Sequence, residues 1–180
     1  MGLLPGQKVV LSVGAINSHH KRIDHVINEV ALLDDNFFLI ILGQFEKDTD
    51  TLIQLAEVKL NNRCIVANLP YEKVRAYYIA ADYFVLASLH EGFGRVLVEA
   101  LSYGLPCIVH NNAINAKQVL HEFGEYVDMT STGALANYLS QRKINCNKDK
   151  TIQAAYNLYS WDVLKPAYVD MILKQIDHNQ

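Results

Sequence analysis

The stretch YFVLASLHEGFGRVLVEAL occupies residues 83–101 and places two acids and two glycines between two apolar elements. Its first five residues are continuously apolar, which predicts a strand buried on both faces. Gly92 and Gly94 then open the chain into a predicted helix, and Glu91 and Glu99 lie on either side of the turn. The segment therefore predicts a strand–turn–helix junction with more polar chemistry than any other part of the chain.

Apolar runs alternate with amphipathic stretches along the rest of the chain. Strands are predicted at residues 8–14, 37–43, 64–67, 83–87, 107–109 and 125–128. Helices are predicted at about 23–33, 51–60, 94–103, 116–123, 134–139, 150–159 and 160–176, with a further helix around Val74, Tyr77, Tyr78 and Ala81. This alternation predicts a Rossmann-like three-layer α/β/α domain built on a parallel sheet of about six strands.

Ligands bind such sheets at the carboxyl ends of the strands, where the strand order reverses. We therefore expect a crevice beside the loops that follow the first and fourth strands. Gly104 is expected to end the helix of the junction, and Ser160 to begin the last helix. Pro166 predicts a kink in that last helix.

Composition narrows the functional classes. The chain has 180 residues, of which 51% are hydrophobic, which is ordinary for a single globular domain. A formal charge of −3 does not favour a nucleic-acid-binding surface. No apolar run approaches the ~18 residues of a membrane span. We recognise no signal peptide. Three cysteines without a CxxC pair indicate reduced thiols in a cytosolic protein, with Cys64 and Cys107 in core strands.

The glycine turn has the features of an anion site. Gly92 and Gly94 let backbone N–H groups approach a ligand, and the following helix directs its positive end into the same space. Glu99, in the second helical turn, is able to reach back toward the crevice. A diphosphate flanked by sugar hydroxyls would suit these groups. The alternative is a purely structural glycine turn with Glu99 on a solvated helix face, and spacing alone does not separate the two.

Glu91 and Glu99, carried on EGFGRVLVEA, resemble the E-x7-E signature of retaining GT-B glycosyltransferases of group 1, or family 4. Other segments resemble that family in the same order: LSVG followed by Lys21, then FLIILG, YIAADYFVLAS, SYGLPCIV and a terminal YSWD. Together they extend from about Val9 to Met171.

This resemblance implies that residues 1–180 form one domain, the C-terminal half of a GT-B enzyme, which binds a UDP- or GDP-sugar donor. The N-terminal acceptor domain would be absent, so the isolated chain should bind donor but transfer little sugar. The last helix would match the segment that crosses back to that domain. The complete enzyme is expected to transfer a hexosyl group, with retention, to a sugar or lipid-linked acceptor in polysaccharide biosynthesis. Its expected location is the cytoplasm, including the membrane periphery.

The resemblance also implies roles for individual residues. The expected catalytic residues are Glu91, which would face the donor sugar, and Lys21, which would neutralise the departing diphosphate. The expected donor-binding residues are Glu99 on the ribose, together with Gly92, Phe93, Gly94, Arg95, Gly14 and Arg22. The family commonly carries an arginine directly after the first glycine, where this chain has Ala15. Arg22 and Arg95 are the candidates to replace that charge. Base contacts are expected near Ala67–Leu69.

Two other functions stay open at this stage. A non-catalytic module that binds or senses nucleotide sugars would show the same binding without transfer. An NAD-dependent enzyme is disfavoured because the turn at Gly14 lacks the GxGxxG fingerprint.

Several other residues are weaker candidates for the site. Asp48-Thr49-Asp50 resembles a DxD metal motif, but acids just before a helix are ordinary caps, so we expect neither a metal nor a cofactor. His19, His20 and His90 are either loop residues or the border of the pocket. Tyr77, Tyr78 and Tyr83 are expected to cover the core rather than to stack on a base.

Overall fold

The computed structural model describes residues 6–141 and 146–177. The strands are β1 Lys8–Val13, β2 Phe37–Leu42, β3 Cys64–Ala67, β4 Tyr83–Leu86, β5 Cys107–His110 and β6 Gly124–Val127. The helices are α1 Ile23–Val30, α2 Thr49–Leu60, α3 Tyr71–Ala80, α4 Arg95–Ser102, α5 Ile114–Leu120, α6 Ala134–Ser140, α7 Lys148–Tyr159 and α8 Trp161–Asp177.

All six strands belong to one parallel sheet in the order β3-β2-β1-β4-β5-β6. This confirms the predicted Rossmann-like sheet. The order reverses between β1 and β4, which pair directly through Val10 with Tyr83 and Leu11 with Phe84. The loops after these two strands therefore leave the same edge of the sheet at its switch point.

The core lies on both faces of the sheet, as expected for a parallel sheet of mostly apolar strands. Helices α1, α2 and α6 cover one face, and α3, α4, α5 and α7 cover the other. Tyr78 and Tyr83 are buried and Tyr77 is half-buried, which confirms their assignment to the core. Cys107 is buried in β5, and Cys64 is half-buried in β3. Among the described residues, no helix has the length and apolarity needed to span a bilayer.

Helix α4, which follows the junction, ends as the sequence predicts. The N–H of Gly104 donates to the carbonyl of Leu101 at 2.8 Å, and that of Leu105 donates to Ala100 at 3.0 Å. Gly104 has φ +70°, and the two bonds form a Schellman motif. A methyl group on Gly104 would lie 2.3 Å from Cγ of Lys148, so the same glycine also lets α7 pack closely.

Of two other predicted helix boundaries, the end of α5 differs from the structure and the start of α8 agrees with it. The helix predicted at 116–123 is Ile114–Leu120 followed by a 3₁₀ turn, because His121 has φ +48° and breaks the α-helical backbone. Ser160 begins α8 as predicted, since its Oγ accepts a hydrogen bond from the N–H of Val163 at 3.3 Å. Residues Trp161–Asp177 form one helix that includes Pro166, and the kink stays a prediction.

The ends of β1 and β2 approach each other closely at the carboxyl edge. A Cβ on Gly43 would lie only 1.6 Å from the carbonyl oxygen of Gly14, so any larger residue at this position would clash with the backbone. Beyond these glycines, Ile16 and Phe45 form an isolated parallel bridge. The loops after β1 and β2 therefore run side by side, which positions the first of the predicted site residues.

Candidate functional site

Lys21 and Glu91, the two predicted catalytic residues, meet at the switch point of the sheet. Nζ of Lys21 donates a hydrogen bond to Oε1 of Glu91 and forms an ion pair with it. Only 13% of the Lys21 side chain and 6% of the Glu91 side chain are exposed. A nearly buried cation is thus held against the turn that leads into α4.

Asn17 organises the loop that carries Lys21. Its side chain is buried, and its Oδ1 accepts hydrogen bonds from the backbone N–H groups of His20 at 2.9 Å and Lys21 at 2.8 Å. Its amide nitrogen donates to Oε2 of Glu46 at 3.0 Å. The β1–α1 loop is therefore fixed from within and tied to the β2–α2 loop.

Asp48 ties the same two loops together. Its Oδ2 accepts hydrogen bonds from the N–H and the Oγ of Ser18, at 2.8 and 2.5 Å. These bonds lower the pKa of the Asp48 carboxyl. Asp48 occupies the N-cap position of α2 but makes no side-chain capping bond, so the expected capping role was wrong. Because β1 and β2 are neighbours, the Ser18 donors come within reach of this carboxylate.

The turn that carries Glu91 is held from two sides. Nε2 of His20 lies 3.2 Å from the carbonyl oxygen of His90 and 4.0 Å from Oε1 of Glu91. From the other side, the Asn115 amide at the start of α5 donates to the carbonyl oxygen of Glu91 at 2.7 Å. His19, His20 and His90 are exposed, as expected for loop residues. Of the three, His20 and His90 border the ion pair.

Each of the predicted glycines has a different environment. A Cβ on Gly14 would lie 3.1 Å from Cε of Lys21, so Gly14 leaves room for the lysine stem. Gly92 has no heavy atom within 4 Å of such a Cβ position and faces open space. Gly94, with φ +70°, is the N-cap residue of α4. Arg95 is exposed at the first helical position, and Phe93 is 58% exposed.

Glu99 lines a cavity of about 290 Å³ between α3 and α4, and neither Lys21 nor Glu91 lines it. The residues that line this cavity are Tyr71, Glu72, Val74, Arg75, Tyr78, Glu99 and Tyr103. The hydroxyl of Tyr78 donates to Oε2 of Glu99 at 2.9 Å. Burial and then the Glu99 carboxylate hold the pKa of Tyr78 far above its usual value, so the hydroxyl stays a donor. Glu99 is thus not a solvated helix residue.

Arg22 has a structural contact in this arrangement. It precedes α1 with φ +52°, and its Nη1 donates to the carbonyl oxygen of Met129 at 2.6 Å. The guanidinium therefore ties the start of α1 to the segment that follows β6. A diphosphate role for Arg22 stays a prediction.

Asn17 and Tyr78 are contacts of the site that the sequence did not predict. Asn17 lies in a polar loop, and its only signal was its place four residues before Lys21. Tyr78 lies on the apolar face of α3, and the spacing that placed it in the core concealed its hydroxyl contact. Within the described part of the chain, no group of three His, Cys, Asp or Glu side chains could hold a metal ion.

Two curated relatives are similar to this chain over most of its length. It is 26% identical over 162 residues to the N-acetylgalactosamine-N,N'-diacetylbacillosaminyl-diphospho-undecaprenol 4-alpha-N-acetylgalactosaminyltransferase of Campylobacter jejuni, covering 83% of this chain and 43% of the relative. It is 27% identical over 168 residues to a subunit of the phosphatidylinositol N-acetylglucosaminyltransferase of Saccharomyces cerevisiae, covering 87% of this chain and 37% of the relative. The chain thus spans less than half of either relative.

Solved structures have the same fold. The structure of Anabaena HepE in complex with UDP and glucose matches with a TM-score of 0.82 at 17% identity, over 94% of this chain and 49% of that one. The sucrose-phosphate synthase of Thermosynechococcus elongatus matches with a TM-score of 0.80 at 22% identity, over 98% of this chain and 47% of that one. The family model for "Glycosyl transferases group 1" matches residues 2–156. With most of its length inside that match, the chain belongs to the group 1 glycosyl transferases.

Proposed function

We propose that this chain is the donor-binding domain of a retaining glycosyltransferase and that it binds a nucleoside diphosphate sugar at the carboxyl edge of its sheet. The observation that carries this proposal is the ion pair between Lys21 and Glu91, which brings together the two loops at the switch point. Membership of the group 1 family supports a transferase role.

In this proposal the donor diphosphate becomes the counter-ion of Lys21. Phosphate oxygens would also accept hydrogen bonds from the backbone N–H groups of the turn at Gly92–Gly94 and from the N-terminus of α4. The open space at Gly92 gives a ligand room to approach this backbone. Arg95, exposed at the start of α4, would add a second positive charge. The charge on the diphosphate is then neutralised without a metal or a cofactor, and we propose that none is used.

The two acids would bind hydroxyl groups on either side of the diphosphate. Glu91, in the turn, would face the donor sugar once Lys21 has turned to the phosphates. Glu99, in the cavity between α3 and α4, would accept hydrogen bonds from the ribose. Backbone groups near Ala67–Leu69, just beyond β3, would contact the base.

The proposed reaction transfers the glycosyl group with retention of its anomeric configuration. The bond between sugar C1 and the diphosphate oxygen breaks, and a bond from C1 to an acceptor hydroxyl oxygen forms on the same face. The hydroxyl proton passes to the departing diphosphate. Negative charge develops on that diphosphate as the bond breaks, and Lys21, once it faces the phosphates, would stabilise it there.

We propose that a second domain supplies the acceptor site in the complete enzyme. Large apolar side chains are exposed on α8: Trp161, Val163, Tyr168, Val169, Met171, Ile172, Leu173 and Ile176. Such a surface is typical of a protein interface, and we assign it to that domain. The isolated chain would then bind donor but transfer little sugar to a sugar or lipid-linked acceptor. In the cell the complete enzyme would act in the cytoplasm, including the membrane periphery.

Calorimetry and thermal unfolding with UDP, GDP, UDP-glucose, GDP-mannose and NAD test the proposal. At least one of the UDP or GDP compounds should raise the melting temperature, and NAD should not. Glu99→Ala should remove the shift, whereas Glu57→Ala, at an exposed position on α2, should leave it unchanged. Stabilisation by NAD alone, or by none of these compounds, would overturn the proposal.

A further inference from the structure

Tyr78 links α3 to α4 at the wall of the cavity that contains Glu99. Only 2% of its surface is exposed, and its hydroxyl donates to Oε2 of Glu99 at 2.9 Å. The two residues are 21 positions apart in the chain and lie on different helices. The contact therefore depends on how α3 and α4 pack against the sheet.

The ring of Tyr78 is held by two aromatic neighbours. Its centroid lies 5.9 Å from that of Phe84 on β4. The centroid of Tyr103 lies 5.3 Å from that of Tyr78, and the planes of these two rings are 10° apart. Tyrosine has only two side-chain torsions before its hydroxyl, and stacked packing restricts both. The hydroxyl is therefore a donor at a fixed place on the cavity wall.

Glu99 has three side-chain torsions, and its carboxylate would sample several orientations if it were free. The bond from Tyr78 engages Oε2. Among residues 6–141 and 146–177, Oε1 has no hydrogen-bond partner. One oxygen of the carboxylate is thus anchored by the protein, and the other is available to a ligand in the cavity.

We propose that Tyr78 is a positioning residue that holds the Glu99 carboxylate ready for the ribose hydroxyls of the donor nucleotide. This role rests on the proposed function of the site. A carboxylate that is already oriented loses less rotational freedom when the ligand binds, so affinity rises without a new contact to the ligand. Because the rigid Tyr78 ring fixes Oε2 through this hydrogen bond, it also sets the direction of the other carboxylate oxygen, Oε1.

A competing explanation is that Glu99 merely satisfies the buried hydroxyl of Tyr78. Tyr78→Phe keeps the ring and removes only the hydroxyl. Under both explanations the lost hydrogen bond changes the stability of the fold, so stability does not separate them. They differ in how the variant responds to the ligand. A positioning role affects only nucleotides that carry ribose hydroxyls, whereas a structural role affects all nucleotides alike.

The test is calorimetric titration with UDP, GDP and their 2′,3′-dideoxy analogues. We expect Tyr78→Phe to bind the parent nucleotide about three- to tenfold more weakly, the range for losing one hydrogen bond. Binding of the dideoxy analogue should change by less than about twofold. Tyr77→Phe is the matched control, since Tyr77 is the half-buried neighbour on the same helix. It should bind all four compounds as the unmodified chain does.

A second variant covers the case in which Tyr78→Phe folds poorly. Phe84→Leu removes a ring that stacks on Tyr78 but does not line the cavity, and it should weaken the binding of UDP and GDP while leaving that of the dideoxy analogues unchanged. Equal affinities in Tyr78→Phe and the unmodified chain would overturn the positioning role, as would an equal loss for both kinds of nucleotide. If the unmodified chain binds none of UDP, GDP, UDP-glucose and GDP-mannose, the proposed function itself fails, and the role of Tyr78 fails with it.

Discussion

Lys21 and Glu91 are separated by 70 positions in the chain, yet their side chains form an almost fully buried ion pair. A buried charge that loses its partner is strongly destabilised, so each residue constrains the other. A diphosphate offers Lys21 a second anionic partner of higher charge. Under the proposed function, donor binding at this pair would exchange one counter-ion of Lys21 for another.

The first prediction follows from this exchange. Lys21→Met should weaken UDP binding at least about tenfold, because the diphosphate loses its main cation. Glu91→Gln should tighten UDP binding about threefold, since Lys21 no longer has to leave a carboxylate. Calorimetric titration measures both, with Lys59→Met on the exposed face of α2 as the control. Similar losses in the two variants would contradict counter-ion exchange.

The second prediction concerns the loop that presents Lys21. Asn17→Ala removes the acceptor for the N–H groups of His20 and Lys21. We expect a loss of about 1–3 kcal/mol in the free energy of unfolding, together with weaker UDP binding. Urea denaturation and calorimetry check these effects. Asn28→Ala is the control, because the side-chain amide of Asn28 donates within α1, to the carbonyl oxygen of Asp24. A loss of stability without a loss of affinity would show that the loop does not position Lys21.

The third prediction uses two glycines with opposite surroundings. Gly43→Ala would place a methyl group on the Gly14 carbonyl, and we expect it to cost about 3 kcal/mol of stability or to prevent folding. Gly92→Ala meets open space, so its melting temperature should match that of the unmodified chain. Circular dichroism during heating measures both. The idea is wrong if Gly43→Ala melts within a degree or two of Gly92→Ala.

The fourth prediction is a pH dependence. Hydrogen bonds from the hydroxyl and N–H of Thr130 and from the hydroxyl of Ser131 lower the pKa of Asp128 from 3.8 to about 2. A lowered pKa in the folded state means that the carboxylate stabilises the fold above about pH 4 and that this contribution is lost as the pH falls toward about 2.

Melting temperatures of the unmodified chain and of Asp128→Asn, measured from about pH 2 to pH 6, test this dependence. The unmodified chain should be more stable above about pH 4, and the two curves should converge as the pH falls toward the lowered pKa. Parallel curves across the acid range would show that the Asp128 carboxylate contributes nothing in its charged form.

Local patterns were enough to predict the architecture. Short, mostly apolar runs predicted the six strands, and β3 was predicted with the bounds that the structure has, Cys64–Ala67. Amphipathic spacing and single residues such as Gly104 and Ser160 located the helices. These signals work because strand burial, helical periodicity and capping depend on residues close together in the chain.

Contacts between distant side chains could not be predicted in the same way. Asp48 was expected to cap α2 and instead binds Ser18, because the adjacency of β1 and β2 brings a stronger set of donors to its carboxylate. Tyr78 was correctly placed in the core, but its bond to Glu99 depends on how α3 and α4 pack against the same face of the sheet. Side-chain partners of this kind follow from the relative placement of whole elements.

The sequence by itself determined the parallel α/β sheet and the strand–turn–helix junction at residues 83–101, because both arise from the periodicity and the turn chemistry of neighbouring residues. Only the tertiary structure decided that Lys21 meets Glu91 and that Tyr78 holds Glu99. The physical reason is that hydrogen bonds and ion pairs act over a few ångströms, and the order of strands in the sheet decides which loops come that close.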